Sequence, residues 1–237
     1  MSQFETLYAD LPDLRIAYRE GGRGTPLLFL HGNSESKKIF AGYQEIHFKD
    51  FRTLAPDSRG HGQSRSRDDS YTISRFSDDV IAFCAAKDIK KAGVVGYSDG
   101  GNIALFLGLK APHLFTKIVA VSPNYLAEGI SAKWLKLFRA AVKLLTFLGR
   151  LGFRTRKSIM RFMLMLNDIG LSDDDLRAIR ADIKILYAEK DLIHEEHLLK
   201  IAELIPGCSI TRISGCNHFN ILNKRETIET IRKYFLA

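Results

Sequence analysis

Little in this sequence points to a cross-linked, metal-stapled or membrane-spanning protein. Cysteine is scarce, and Cys84, Cys208 and Cys216 are too few and too scattered for a disulfide framework or a zinc site. No stretch of eighteen or more apolar residues exists, so no transmembrane helix is expected. The opening Met-Ser-Gln-Phe-Glu-Thr lacks a basic region followed by an apolar run, so no signal peptide is visible. With the cysteine usage, that gives a cytoplasmic expectation. Acidic residues are missing from Lys133 to Arg161, where nine Lys and Arg fall together. The net charge is +8, so the rest of the chain is close to neutral. The basicity belongs to one segment, which weakens any general nucleic-acid-binding reading. What is present is ordinary for a folded domain: 237 residues, 46% hydrophobic and 26% charged. That much apolar material excludes disorder and can build a sizeable core in one α/β domain with a modest insertion.

Apolar runs alternate with helical patterns, which predicts a parallel sheet with crossover helices. Strands are expected at Leu14–Glu20, Pro26–Leu30, Arg52–Pro56, Ala92–Tyr97, Lys117–Ser122, Ile183–Ala188 and Ser209–Ile213. Helices are expected at Ile73–Lys87, Gly100–Lys110, Glu195–Ile205 and Lys224–Phe235. Tyr125–Asp182 interrupts the rhythm with helical patterns only. There Trp134, Leu137, Phe138, Ala141, Leu145 and Leu148 line one face at helical spacing, and Ser172 followed by three aspartates starts a later helix. The expected organisation is a core of residues 1–124 and 183–237 with residues 125–182 inserted as a helical lid.

Gly96-Tyr97-Ser98-Asp99-Gly100 matches G-x-S-x-G between a strand and a helix, the context in which that motif presents a nucleophilic serine. A serine hydroxyl needs a base, and the base needs an orienting acid, in the chain order serine, acid, histidine. Four histidines follow Ser98. His113 precedes any plausible acid. His194 and His197, three residues apart without a third ligand, read as surface or packing residues rather than a metal pair. His218 follows the last strand, at the sheet edge where α/β sites form. Asp191, directly after the strand at Ile183, is the favoured acid; it could instead cap the next helix, and Glu189 is a rival. His31-Gly32-Asn33 follows another strand. The backbone N–H groups of Asn33 and Asp99 are the expected oxyanion donors, although His-Gly alone is also an ordinary turn.

Together with Asp57-Ser58-Arg59-Gly60-His61-Gly62-Gln63-Ser64, these pieces resemble the α/β-hydrolase superfamily, in its order and spacing and over nearly the whole chain. Ala188 departs from the family, which often has glycine before its acid. The resemblance implies a mostly parallel eight-stranded sheet, a scaffold role for Arg59 and His61, and catalysis without a cofactor or metal. Ser98 argues against the branches with an aspartate nucleophile. The activity implied is cleavage of an ester, lactone or thioester by Ser98, His218 and Asp191. A carbon–carbon bond hydrolase or lyase using the same residues, and a non-catalytic binding module, are the alternatives. Gly21-Gly22-Arg23-Gly24 precedes a strand and has no P-loop pattern. The expected partner is a small molecule, with the oligomeric state open. The lid charge fits a solvated basic face first, an acidic substrate second and an anionic membrane third, because Trp134, Phe138 and Leu145 are expected to cover the pocket.

Overall fold

The computed structural model describes residues 5–68 and 70–237; the first four residues, part of the segment read for a leader, lie outside it. Nine strands form one sheet: β1 (Leu7–Asp10), β2 (Leu14–Gly21), β3 (Pro26–Leu30), β4 (Arg52–Pro56), β5 (Arg65–Ser66), β6 (Gly93–Tyr97), β7 (Lys117–Val121), β8 (Asp182–Lys190) and β9 (Ser209–Asn217). Their order is β1-β2-β4-β3-β6-β7-β8-β9, with β5 paired to β2. From β4 to β9 every pairing is parallel, and β2 pairs antiparallel with β1, β4 and β5. β1 and the two-residue β5 carry too little apolar pattern to be read from the sequence. The eight main strands and this short edge ribbon make the nine.

The central strands are buried on both faces, and their two-residue period divides the core. Leu28, Leu30, Val94, Ile118, Ile183 and Ile185 enter one apolar cluster, under α1 (Ile73–Ala86), α2 (Asp99–Lys110) and α6 (Glu195–Leu204). Leu27, Phe29, Val95, Val119 and Leu186 enter the other, with Phe40, Tyr43, Phe48 and, from α7 (Arg225–Leu236), Ile231. Thr72 caps α1 by accepting from the Arg75 N–H at 3.1 Å.

β3 lies between β4 and β6, so the chain leaves β3 to one side and returns on the other. That reversal opens a crevice beyond the carboxyl ends of β3 and β6, where doubly wound sheets place their ligands. The loop His31–Asn33 and Ser98 both emerge there.

Between β7 and β8 lie α3 (Ala132–Arg150), α4 (Arg156–Leu166) and α5 (Asp173–Ala178), the last opened by a reciprocal cap between Ser172 and Asp175. One residue departs from expectation. Leu137 is not on the covered face of α3 but 54% exposed. It lies about 60° round the helix from Trp134, at the edge of the row 134–138–141–145–148 and on the side where Leu144 is also exposed. Among the described residues, no helix is long and apolar enough to cross a membrane.

Candidate active site

Ser98 is the only residue between β6 and α2. To turn the chain in one step it adopts φ 53° and ψ −119°. The turn is possible because its flanks have no side chain. A Cβ on Gly96 would collide with the carbonyl oxygen of Gly100, and one on Gly100 with that of Leu30. Such a backbone costs on the order of 1–3 kcal/mol and survives only where the surroundings over-determine it. Here the Ser98 N–H donates to the Val121 carbonyl at 2.8 Å, and its own carbonyl accepts from Asn102 at 3.0 Å.

His218 sits immediately past β9, which runs four residues beyond the expected Ile213. A register shift between Ala188 and Lys190 brings Lys190 opposite Asn217 and sets the histidine at the sheet's carboxyl edge. Its Nε2 lies 3.1 Å from Ser98 Oγ and its Nδ1 lies 2.7 Å from Asp191 Oδ1. A carboxylate only accepts, so Nδ1 carries the proton and the Nε2 lone pair faces the serine. The Tyr97 hydroxyl donates to the His218 carbonyl at 2.8 Å and steadies the ring's backbone.

Asp191 is buried, which by itself would raise its pKa. Hydrogen bonds from His218, from Ser122 Oγ at 2.6 Å and from the Ala188 N–H at 3.0 Å overcome that and hold the carboxyl below its usual range. Glu189 points elsewhere, accepting from the Gly215 N–H at 2.7 Å. His113 and His194 are exposed. His197 is a packing residue, stacked on Tyr125 at 4.9 Å and pushed down to about 4 by burial. No cluster of metal-ligating side chains occurs among the described residues.

Asn33 and Asp99 meet through side chains as well as through their loops. Asn33 Nδ2 donates to Asp99 Oδ2 and to the Arg161 carbonyl of α4, both at 2.8 Å, so one amide ties β3, α2 and α4 together. Burial pushes Asp99 up to about 6, against the lowering effect of Asn33 and Asn102. The Asp99 N–H is the first of α2 and has no intrahelical acceptor.

Three contributors escaped the sequence reading. Ser122 (φ 51°), just past β7, donates to Asp191, and Tyr97 donates to the His218 carbonyl. Glu35 accepts from the Gly32 N–H at 3.0 Å beside Ser98, with its pKa raised by burial. A signal existed for Ser122, since it stands at the carboxyl end of a strand next to the strand that carries Asp191. Nothing local marks Glu35.

The scaffold residues surround this crevice without entering it. Arg59 is fully buried among Asp79, Asp13 and Asp68, with bonds of 2.7 to 3.0 Å. His31 Nε2 accepts from the Ser58 N–H at 3.0 Å. Lys37 and Asp57 form a buried ion pair at 2.7 Å. Burial and the neighbouring His31 push His61 down to about 3.

Above Ser98 and His218 is a chamber of about 200 Å³, roofed by Trp134 and Phe138 of α3 and by Phe162 and Met165 of α4. No lysine or arginine lines it. A larger hollow of about 800 Å³ lies at the α3–α4 turn, where its lining holds no histidine, aspartate or glutamate.

The sequence model of the alpha/beta hydrolase fold matches residues 25–151. The chain belongs to the α/β-hydrolase family. An α/β-hydrolase superfamily protein of Bacillus subtilis, YisY, is 30% identical to this one, with 90% of this chain and 92% of that protein covered. An uncharacterized protein of Mycobacterium tuberculosis is 26% identical over 129 residues, 54% of this chain but only 37% of its own length. The chain therefore spans little more than a third of that relative. Among solved structures, the enol-lactonase of Burkholderia xenovorans LB400 superposes with a TM-score of 0.77 at 17% identity, over 98% of this chain and 100% of that chain. At that identity the likeness speaks for the fold alone.

Proposed function

We propose that this hydrolase cleaves an ester-type bond of a small molecule, a carboxylic ester, lactone or thioester, through an acyl-enzyme on Ser98. One observation carries the reading: a hydroxyl, an imidazole and a buried carboxylate stand in one hydrogen-bonded line, 3.1 and 2.7 Å per step, under a roofed apolar chamber. In this reading His218 takes the proton of Ser98 as Oγ bonds to the substrate carbonyl carbon, and Asp191 stabilises the resulting imidazolium. The N–H groups of Asn33 and Asp99 hold the oxyanion, helped by the N-terminus of α2. His218 returns its proton to the leaving oxygen or sulfur. Water then attacks the acyl-enzyme with His218 again as base, releasing the acid and restoring the serine. Residues 125–182 act as the cap that keeps bulk water from the acyl group.

The chamber volume restricts the acyl part. About 200 Å³ is below the usual range of roughly 300–1,000 Å³ for ligand pockets. Among p-nitrophenyl esters of graded length, kcat/KM should peak at short acyl chains and fall steadily beyond them. A fluorophosphonate probe should label the wild type and leave Ser98→Ala unlabelled. An unlabelled wild type would turn the reading to a binding module on this fold. Labelling with no turnover of esters, lactones or thioesters would turn it to carbon–carbon bond cleavage by the same residues.

A further inference from the structure

Helix α3 has two apolar faces, and the roof of the chamber uses one of them. The other is a row of Leu137, Leu144, Phe147 and Leu151, continued by Phe153 at the turn, each 54% to 61% exposed. Steps of seven and three residues keep Leu137, Leu144 and Phe147 on one side of the helix, and Leu151 follows at its C-terminal cap. A solvated basic helix does not need large apolar side chains in a contiguous exposed row, and such a patch marks a docking surface.

Charge selects the occupant. Lys136, Arg139, Lys143 and Arg150 run along the helix beside the row, and Arg154 and Lys157 follow at the turn. None of these six forms an ion pair among the described residues. No aspartate or glutamate occurs between Glu128 and Asp168. Under the turn the 800 Å³ hollow has an apolar wall of Phe153, Ile159 and Met160 and a rim that includes Arg154 and Lys157. A second copy of this face would bring unpaired cations against unpaired cations. An anionic sheet of headgroups over hydrocarbon meets both halves of the pattern.

We propose that the outer face of α3 and the α3–α4 turn dock this protein on an anionic lipid bilayer. Leu137, Leu144, Phe147, Leu151 and Phe153 enter the interface while the flanking Lys and Arg meet the headgroup phosphates. The assignment is independent of the hydrolytic reading, because its readout is binding.

The test is flotation with vesicles of phosphatidylcholine alone and of phosphatidylcholine mixed with phosphatidylglycerol. The wild type should float with the mixed vesicles at low salt, less so as salt is added, and hardly at all with phosphatidylcholine. Leu144→Asp with Phe147→Asp, and separately Lys143→Glu with Arg150→Glu, should each weaken partitioning by at least about tenfold. Both variants should keep the wild-type melting temperature and the rate on a soluble short-chain ester, because these side chains are exposed and outside the chamber. No flotation of the wild type with the mixed vesicles at low salt overturns the proposal. So does flotation of both variants like the wild type. A wild-type dimer that Leu144→Asp converts to monomer, without flotation, would assign the row to self-association instead.

Discussion

Ser98 holds a backbone conformation that L side chains rarely adopt, and nothing but its position requires it to carry a hydroxyl there. Stability and activity should therefore separate at this residue. Ser98→Gly should raise thermal stability by about 1 kcal/mol, because glycine takes this φ without strain, whereas Ser98→Ala should leave it near the wild-type value. Both should lose turnover by a factor on the order of a million, as expected when a nucleophile is removed. Thermal melts beside ester assays check the pair. Ser122 acts at one remove, through Asp191. Removing its hydroxyl in Ser122→Ala deletes a hydrogen bond to a charged carboxylate, worth about 1.5 kcal/mol or roughly tenfold in kcat, with KM little changed. Loss of one donor should also move Asp191 back toward its ordinary range. An unchanged kcat would show that the remaining bonds from Ala188, Ile193 and His218 suffice.

At the level of elements, the β6–α2 junction depends on two backbones coming closer than any side chain permits. Gly100→Ala places a Cβ against the carbonyl oxygen of Leu30, so β3 and α2 must separate. The expected cost is several kcal/mol, the range in which overpacking destroys a fold, and soluble yield with circular dichroism reads it. A glycine with open space around it and no positive φ, such as Gly42, should tolerate more. Helix α3 has a different economy. Phe138 is its one buried side chain, so most of it is held by its pairing with α4 and by the Asn33 bridge from the core to Arg161.

For the whole molecule, acid stability is set by groups of opposite sign. His197 has its pKa lowered from 6.5 to about 4, and His61 to about 3, by burial. Between those values and 6.5 the unfolded chain takes up protons that the fold refuses. Their contribution is complete above about pH 6.5 and is lost as pH falls through the window. Asp99 works the other way: raised from 3.8 to about 6, it takes its proton first in the folded state and returns stability between those values. His197→Gln removes one of the losing groups and keeps an acceptor for the Tyr125 N–H. This variant should melt lower than the wild type near neutral pH, for want of the stack on Tyr125, yet lose less on going from about pH 7 to about pH 4.5. Melts at the two pH values test the difference of slopes.

The sequence by itself determined the sheet core and the three side chains of the proposed triad. Continuous apolar runs of five residues define strands buried on both faces, and Gly96 and Gly100 around Ser98 define a turn that little else could make. Local pattern also placed Asp191 and His218 at strand ends, because strand ends are sequence features. Their union is not local. His218 is 120 residues from Ser98, and the 3.1 Å between them depends on the order β6-β7-β8-β9, on a register shift in the last pair, on Ser122 reaching Asp191 from the neighbouring strand and on Tyr97 reaching His218 from β6. Only the tertiary structure decided where the covered face of α3 ends. Helical spacing groups Leu137 with Trp134 and Phe138, but packing against α4 and the core covers those two and leaves Leu137 exposed beside Leu144. It is the same with Glu35, an ordinary acidic loop residue in one dimension, which the close approach of β3 and β6 brings beside Ser98.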